Sequence, residues 1–110
     1  MHLLFICSRN QWRSRTAETI FRKRQDIDVK SAGTVASARI RVNAGHLKWA
    51  DVILVMERKH RRYIETRFPG ETKYARIEVL EIPDEYQYMD EDLIGELKDV
   101  VTGILEEEEE

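Results

Sequence analysis

Apolar residues fall along this chain in two patterns. Continuous short runs stand at His2–Cys7 (HLLFIC) and Val52–Met56 (VILVM). Runs of that length between polar neighbours predict strands covered on both faces. Two weaker strands are predicted at Ile27–Ala32, stopped by Gly33, and at Ile77–Leu80. Between the strands the apolar positions take helical spacing. Ala17, Ile20 and Phe21 lie at i, i+3 and i+4, and the stem of Arg24 extends the stripe at i+7, which predicts a helix from Arg13 to about Arg24. Leu93, Leu97, Val100, Val101 and Ile104 share one side of a last helix over Asp90–Leu105. Asn43–Trp49 reads as a short helix despite Gly45, and Lys59–Arg67 as a strongly basic one ended by Phe68-Pro69-Gly70.

Strands that alternate with helices predict a single α/β domain with a parallel sheet and helices on both faces. Ligands of such sheets bind at the carboxyl ends of the strands, where loops feed helix N-termini. The chemistry is therefore expected directly after Cys7.

Composition narrows the field. At 110 residues, with 42% apolar residues, the chain has the size and hydrophobicity of one folded domain. No apolar stretch approaches the roughly 20 residues of a membrane span. The chain runs straight into its first strand without a basic leader or cleavage site, so a cytoplasmic location is expected. The lone Cys7 excludes an internal disulfide framework, and His2, His46 and His60 have no ligand spacing, so no metal is expected. Five of the 21 acids form the run Glu106–Glu110; without them 18 basic residues face 16 acidic ones. The domain is thus assigned to residues 1–105 and a solvated acidic tail to 106–110. A mildly basic body without a basic-aromatic repeat argues against nucleic acid as a partner.

The loop after the first strand reads Cys7-Ser8-Arg9-Asn10-Gln11-Trp12-Arg13-Ser14. Five residues between a cysteine and an arginine can wrap into a cup whose amides point inward. The helix that follows adds its own N–H groups and dipole, which suits a phosphate-like dianion. Arg13 can grip two oxygens with its planar fork. The same positive field favours a thiolate, the nucleophilic form, at Cys7. Ser14 can donate to the sulfur. The competing reading is a buried cysteine that merely closes a strand.

These residues resemble the active-site stretch of the low-molecular-weight protein tyrosine phosphatase family, with its Cys-x5-Arg-Ser and the Ala-Glu matched by Ala17-Glu18. Ser31-Ala32-Gly33-Thr34, Ala50-Asp51-Val52-Ile53-Leu54-Val55-Met56 and Ile82-Pro83-Asp84-Glu85-Tyr86 resemble further family segments, in family order. The resemblance implies a four-stranded sheet of order 2-1-3-4. It implies Cys7 as nucleophile, Arg13 as phosphoryl ligand, Asn10 as keeper of the cup's shape, Ser14 as stabiliser of the thiolate, Asp84 as general acid and Tyr86 as a wall of the cleft. Ser8, Arg9, Asn10, Gln11, Trp12, Arg13 and Ser14 would hold the phosphate. The implied reaction is hydrolysis of a phosphorylated protein or small phosphomonoester through a phosphocysteine, releasing inorganic phosphate, with no cofactor and from a monomer.

The chain departs from the family at Arg9 (usually Gly), Trp12 (often a second Cys), Arg15 (usually Pro) and Glu85 (Pro), and is shortened after Gly33. On pattern alone Glu85, Asp90, Glu91 and Asp92 compete with Asp84 as the acid, although Asp90 also suits the cap of the last helix. The alternatives are a non-catalytic phosphate-binding module, a phosphatase for phosphoserine or small phosphomonoesters, and an arsenate reductase, which lacks here the further cysteines that would relay a disulfide. The basic run after the third strand is either a guide for anions or a solvated helix face. Trp49 reads as core rather than as substrate wall.

Overall fold

The computed structural model describes residues 1–109. Its four parallel strands are β1 (His2–Cys7), β2 (Asp28–Gly33), β3 (Val52–Val55) and β4 (Arg76–Val79), in the sheet order β2-β1-β3-β4. The helices are α1 (Arg13–Phe21), α2 (Ala44–Trp49), α3 (Arg58–Arg67), α4 (Pro69–Thr72) and α5 (Glu91–Glu109).

Strand alternation sends β1 and β3 side chains to two separate cores. Leu3, Phe5 and Cys7 face one layer with Val52, Leu54 and Met56, under Ala17 and Phe21 of α1 and Leu93, Leu97 and Val101 of α5. Leu4 and Ile6 face the other with Ile53 and Val55, under Leu47 of α2 and Ile64 of α3. Burial of both faces explains why these strands read as unbroken apolar runs.

The register Ile6↔Val55 and Cys7↔Gly33 brings the end of β1 level with its neighbours. The strand order reverses between β1 and β3, so their carboxyl ends open the crevice where sheets of this type bind ligands.

Several boundaries differ from expectation. Helix α1 ends at Phe21, so Arg24 does not extend its stripe; it pairs instead with Asp26 at 2.6 Å on the surface. The Phe68-Pro69-Gly70 breaker does end α3, but Pro69 at once starts the single turn α4, since its missing N–H costs nothing at a helix start. Asp90 caps α5 by accepting from the amides of Asp92 (2.9 Å) and Leu93 (3.4 Å). That helix continues through Glu109, with Glu106 and Glu107 exposed on it; Glu110 lies outside the described residues. No helix among the described residues is long and apolar enough to cross a membrane.

Candidate active site

The cup is shaped from behind. The carbonyls of Cys7, Ser8 and Arg9 accept from the amides of Thr34 (3.1 Å), Val35 (3.1 Å) and Arg39 (3.0 Å), and the Asn10 carbonyl accepts from Arg39 Nε (3.0 Å). In a trans peptide the carbonyl of one residue and the amide of the next point in opposite directions. Four carbonyls drawn outward therefore turn the amides of Ser8, Arg9, Asn10 and Gln11 inward. Gly33 permits this fit: a Cβ there would meet the Ser8 carbonyl oxygen at 2.5 Å and Ala38 Cβ at 2.7 Å. Its role is close approach of two backbones more than the strand-stopping inferred from sequence.

Asn10 takes a left-handed conformation (φ 57°), which Asn tolerates better than most residues. Its side chain is fully buried and donates from Nδ2 to Ser14 Oγ (2.7 Å) and Ser31 Oγ (2.8 Å). Ser31 in turn donates to Glu18 at 2.6 Å. Asn10 Oδ1 is buried without a hydrogen-bond partner, so the side chain is held through its Nδ2. Ser14 Oγ accepts from Asn10 and lies 2.9 Å from Cys7 Sγ, where either atom can donate, while the Ala32 carbonyl stands within reach of its proton at 3.4 Å. The Asn10 amide also points at the sulfur, at 3.3 Å. One definite donor, the Asn10 amide, and one hydroxyl able to donate thus converge on the sulfur atom.

Arg13 is buried to 2% exposure. Its Nη1 donates to Glu57 Oε2 (2.6 Å) and to the Ile82 carbonyl (2.8 Å), which fixes the guanidinium and leaves Nε and Nη2 for a ligand. Burial raises the pKa of Glu57, but the hydrogen bond and charge of Arg13 outweigh it and hold the carboxyl below its ordinary range. Asp84 Oδ1 lies 3.7 Å from Arg13 Nε on the opposite rim. The loop that carries Asp84 is tied to α1 by Met89 N to Thr16 Oγ1 (2.9 Å) and by Tyr88 Oη to Thr19 Oγ1 (2.8 Å). The start of α1 carries no capping side chain and no acid in its first turn, which leaves its positive end to the cup.

A cavity of about 210 Å³ lies at this point, lined by Cys7, Ser8, Arg9, Gln11, Trp12, Arg13 and Asp84. Cys7, Arg13 and Asp84 are therefore together, with Asn10 and Ser14 behind them. Tyr86 is not brought in. Its ring packs against the core beneath α5, and partial desolvation followed by the Glu96 carboxylate raises its hydroxyl pKa above the ordinary value. The exposed edge of Trp12 borders the cavity instead. Trp49 stacks on His2 at 4.3 Å at the start of β1, the far end of that strand from Cys7.

Sequence reasoning missed three residues of this assembly. Ser31 was legible only as part of a family motif. Glu57 and His60 lie in the basic run after the third strand, which reads as a guide for anions or a solvated helix face, yet His60 is 1% exposed. Its Nδ1 accepts from the Glu57 amide (3.0 Å) and its Nε2 lies 2.9 Å from Ser8 Oγ. Burial, then the charge of Arg13, pushes its pKa down to about 4, so the ring is neutral. The exposed part of α3 borders a wider cleft of about 720 Å³ beside β4, where Arg58, Arg61 and Arg62 meet Glu78 and Glu81 but no nucleophile. No group of three or more metal-ligating side chains converges among the described residues.

No protein-family model matches the chain, and no curated protein matches it by sequence. Solved structures match it closely in fold. The arginine phosphatase YwlE from Geobacillus stearothermophilus aligns with a TM-score of 0.73 at 20% identity, over 98% of this chain and 92% of that one. A low molecular weight phosphotyrosine phosphatase from Vibrio cholerae O395 aligns with a TM-score of 0.77 at 20% identity, over 100% and 97%. The tyrosine phosphatase Wzb from Escherichia coli K30, in complex with phosphate, aligns with a TM-score of 0.77 at 21% identity, over 96% of each chain. The chain has the fold of the low-molecular-weight phosphatases.

Proposed function

We propose that this chain, built on the low-molecular-weight phosphatase fold, is a cysteine-dependent phosphatase acting on phosphorylated protein. The observation that carries the proposal is the convergence of Ser14 Oγ and the Asn10 amide on Cys7 Sγ, beside a buried Arg13 that lines the same cavity. Cys7 attacks phosphorus in line with the leaving oxygen, and the S–P bond forms as the P–O bond breaks. The inward amides together with Arg13 Nε and Nη2 carry the charge of the equatorial oxygens. Asp84, 56% exposed on the rim, gives its proton to the leaving oxygen. It then takes a proton from the water that cleaves the thiophosphate, releasing inorganic phosphate and restoring the thiolate.

Phosphotyrosine is the substrate favoured here, because the ring of Trp12 on the cavity edge offers an aromatic side chain a flat surface. Phosphoarginine is the second reading: Gln11 and Asp84 line the same cavity, and an amide with a carboxylate suits a guanidinium. The deciding experiment is turnover of peptides phosphorylated on tyrosine, arginine or serine, with vanadate as competitor. Vanadate-sensitive release from the tyrosine peptide, lost in Cys7→Ser, is expected. Preference for the arginine peptide would select the second reading. No release from any substrate, with phosphate still bound, would leave a binding module.

A further inference from the structure

His60 reaches the cup through Ser8, and its ring bonds only Ser8 Oγ and the Glu57 amide among the described residues. The Glu57 amide can only donate, so Nδ1 of the His60 ring must accept. A neutral imidazole then carries its one proton on Nε2, and the contact at 2.9 Å makes Ser8 Oγ the acceptor. The opposite arrangement, with Ser8 donating, would place a proton on Nδ1 against the Glu57 N–H. Ser8 Oγ–H is therefore left without an acceptor among the described residues, and Ser8 lines the cavity that holds Cys7 and Arg13. The Glu57 unit thus orders two parts of the site. Its carboxylate fixes Arg13, and its amide fixes the tautomer that orients Ser8.

We infer that His60 is a positioning residue that turns the Ser8 hydroxyl into the cup as an additional donor to the bound phosphoryl group. The inference rests on the phosphatase reading for its catalytic consequence, but the donor itself acts on any tetrahedral oxyanion in the cup. A bound oxyanion receives the Ser8 proton while Ser8 receives that of His60. Chained donors strengthen one another in a water-poor site. Oxyanion binding and turnover therefore both depend on a residue that touches neither substrate nor nucleophile.

The test is a double-mutant cycle read by inorganic phosphate, titrated by NMR of the loop amides, alongside kcat and KM for an aryl phosphate. Ser8→Ala in the otherwise wild-type chain is expected to weaken phosphate about tenfold, as loss of a hydrogen bond to a charged group does. His60→Asn keeps an acceptor for the Glu57 amide but cannot reach Ser8, and should weaken phosphate to a similar degree. Added to His60→Asn, Ser8→Ala should then cost less than about twofold, because the hydroxyl has already lost its orientation. His60→Gln restores a donor near the Nε2 position and should recover most of the affinity. In the wild type the Nε2–H resonance should shift when phosphate is added, and this response should vanish in Ser8→Ala.

A full tenfold loss in both backgrounds would overturn the inference and make His60 a structural residue only. So would wild-type affinity in Ser8→Ala. If His60→Asn does not fold, the Nε2–H response and the His60→Gln comparison decide. Wild-type protein that binds phosphate but turns nothing over would refute the phosphatase reading and leave this inference to the binding data.

Discussion

Glu57 Oε2 meets Arg13 Nη1 at 2.6 Å, across 44 positions of sequence, and this contact settles where the site's most buried charge points. Removal of the carboxylate would leave Arg13 with the Ile82 carbonyl alone on that nitrogen. Glu57→Ala is expected to lower kcat/KM about a hundredfold through loss of guanidinium alignment. It should also cost about 1–3 kcal/mol of stability, below the usual cost of breaking a fully buried pair because Glu57 is 31% exposed. Glu57→Gln, which keeps an acceptor, should retain more of both. Steady-state kinetics and urea unfolding check the pair of variants; equal kinetics for Ala and Gln would remove alignment from the explanation.

Cys7→Ser should reduce turnover roughly a thousandfold or more and keep phosphate affinity, since serine without a neighbouring base is a poor nucleophile. Arg13→Lys should cost about a hundredfold in kcat/KM, because an ammonium cannot serve Glu57, the Ile82 carbonyl and two phosphoryl oxygens at once. Initial rates with an aryl phosphate, beside phosphate titrations of both variants, separate the two effects. Substantial turnover in Cys7→Ser would refute the covalent mechanism.

Asp84→Asn should reduce kcat most for substrates whose leaving oxygen is strongly basic, such as alkyl phosphates, and least for para-nitrophenyl phosphate. Asp90→Asn and Asp92→Asn are the controls, since Asp90 caps α5 and Asp92 lies in its first turn. The ratio of kcat between good and poor leaving groups is the measurement. A leaving-group effect confined to the controls would move the acid elsewhere.

The buried His60 makes stability depend on pH in a defined window. Its pKa falls from 6.5 to about 4 on folding, under burial first and the charge of Arg13 second, with Lys59 adding to the fall and Glu57 and Asp84 opposing it. Between these values the unfolded chain binds the extra proton, so stability rises with pH. The contribution is fully present above about pH 6.5 and lost as pH falls toward about 4. It amounts to roughly 2–3 kcal/mol. Urea unfolding from pH 4 to 7 should show this slope in the wild type and a much shallower one in His60→Asn. The lowered pKa of Glu57 adds the same sign of dependence at lower pH. Parallel slopes in the two proteins would contradict the assignment.

Gly33→Ala should destabilise the fold by about 1–3 kcal/mol, because the new methyl meets a backbone carbonyl that cannot step aside. Phosphate binding should weaken with it, since that carbonyl belongs to Ser8. Thermal unfolding and a phosphate titration read the two effects together, and an unperturbed phosphate affinity would separate Gly33 from the cup.

The parts of the molecule legible in the sequence were those written in local pattern. HLLFIC and VILVM declared themselves because both faces of β1 and β3 are covered. The cup was legible because Cys7, Arg13 and Ser14 lie within eight consecutive residues between a strand and a helix. Glu57 and His60 were hidden because their partners, Arg13 and Ser8, stand 44 and 52 positions away, and a stretch of Arg and Lys around them reads as solvated surface. One signal was present: Glu57 is the acid that follows β3, and β3 lies beside β1 at the point where the sheet order reverses. The packing of Tyr86 against the core was not legible for a related reason. The loop from Pro83 carries no periodicity, and only the packing of α5 determines which of its side chains turn inward.

The segment behind the cup holds it almost entirely through main-chain groups: the amides of Thr34, Val35 and Arg39 bind its carbonyls, and only the Arg39 guanidinium adds a side chain. Amides are common to nearly every amino acid, so the support is indifferent to most of the letters that supply it. Ala36 and Ser37, both exposed, contribute neither a backbone nor a side-chain bond to the cup. Between them the chain offers a splice point at which residues can be inserted without removing a bond to the cup. An insertion there changes the length of the segment while every contact that shapes the cup is left as it stands.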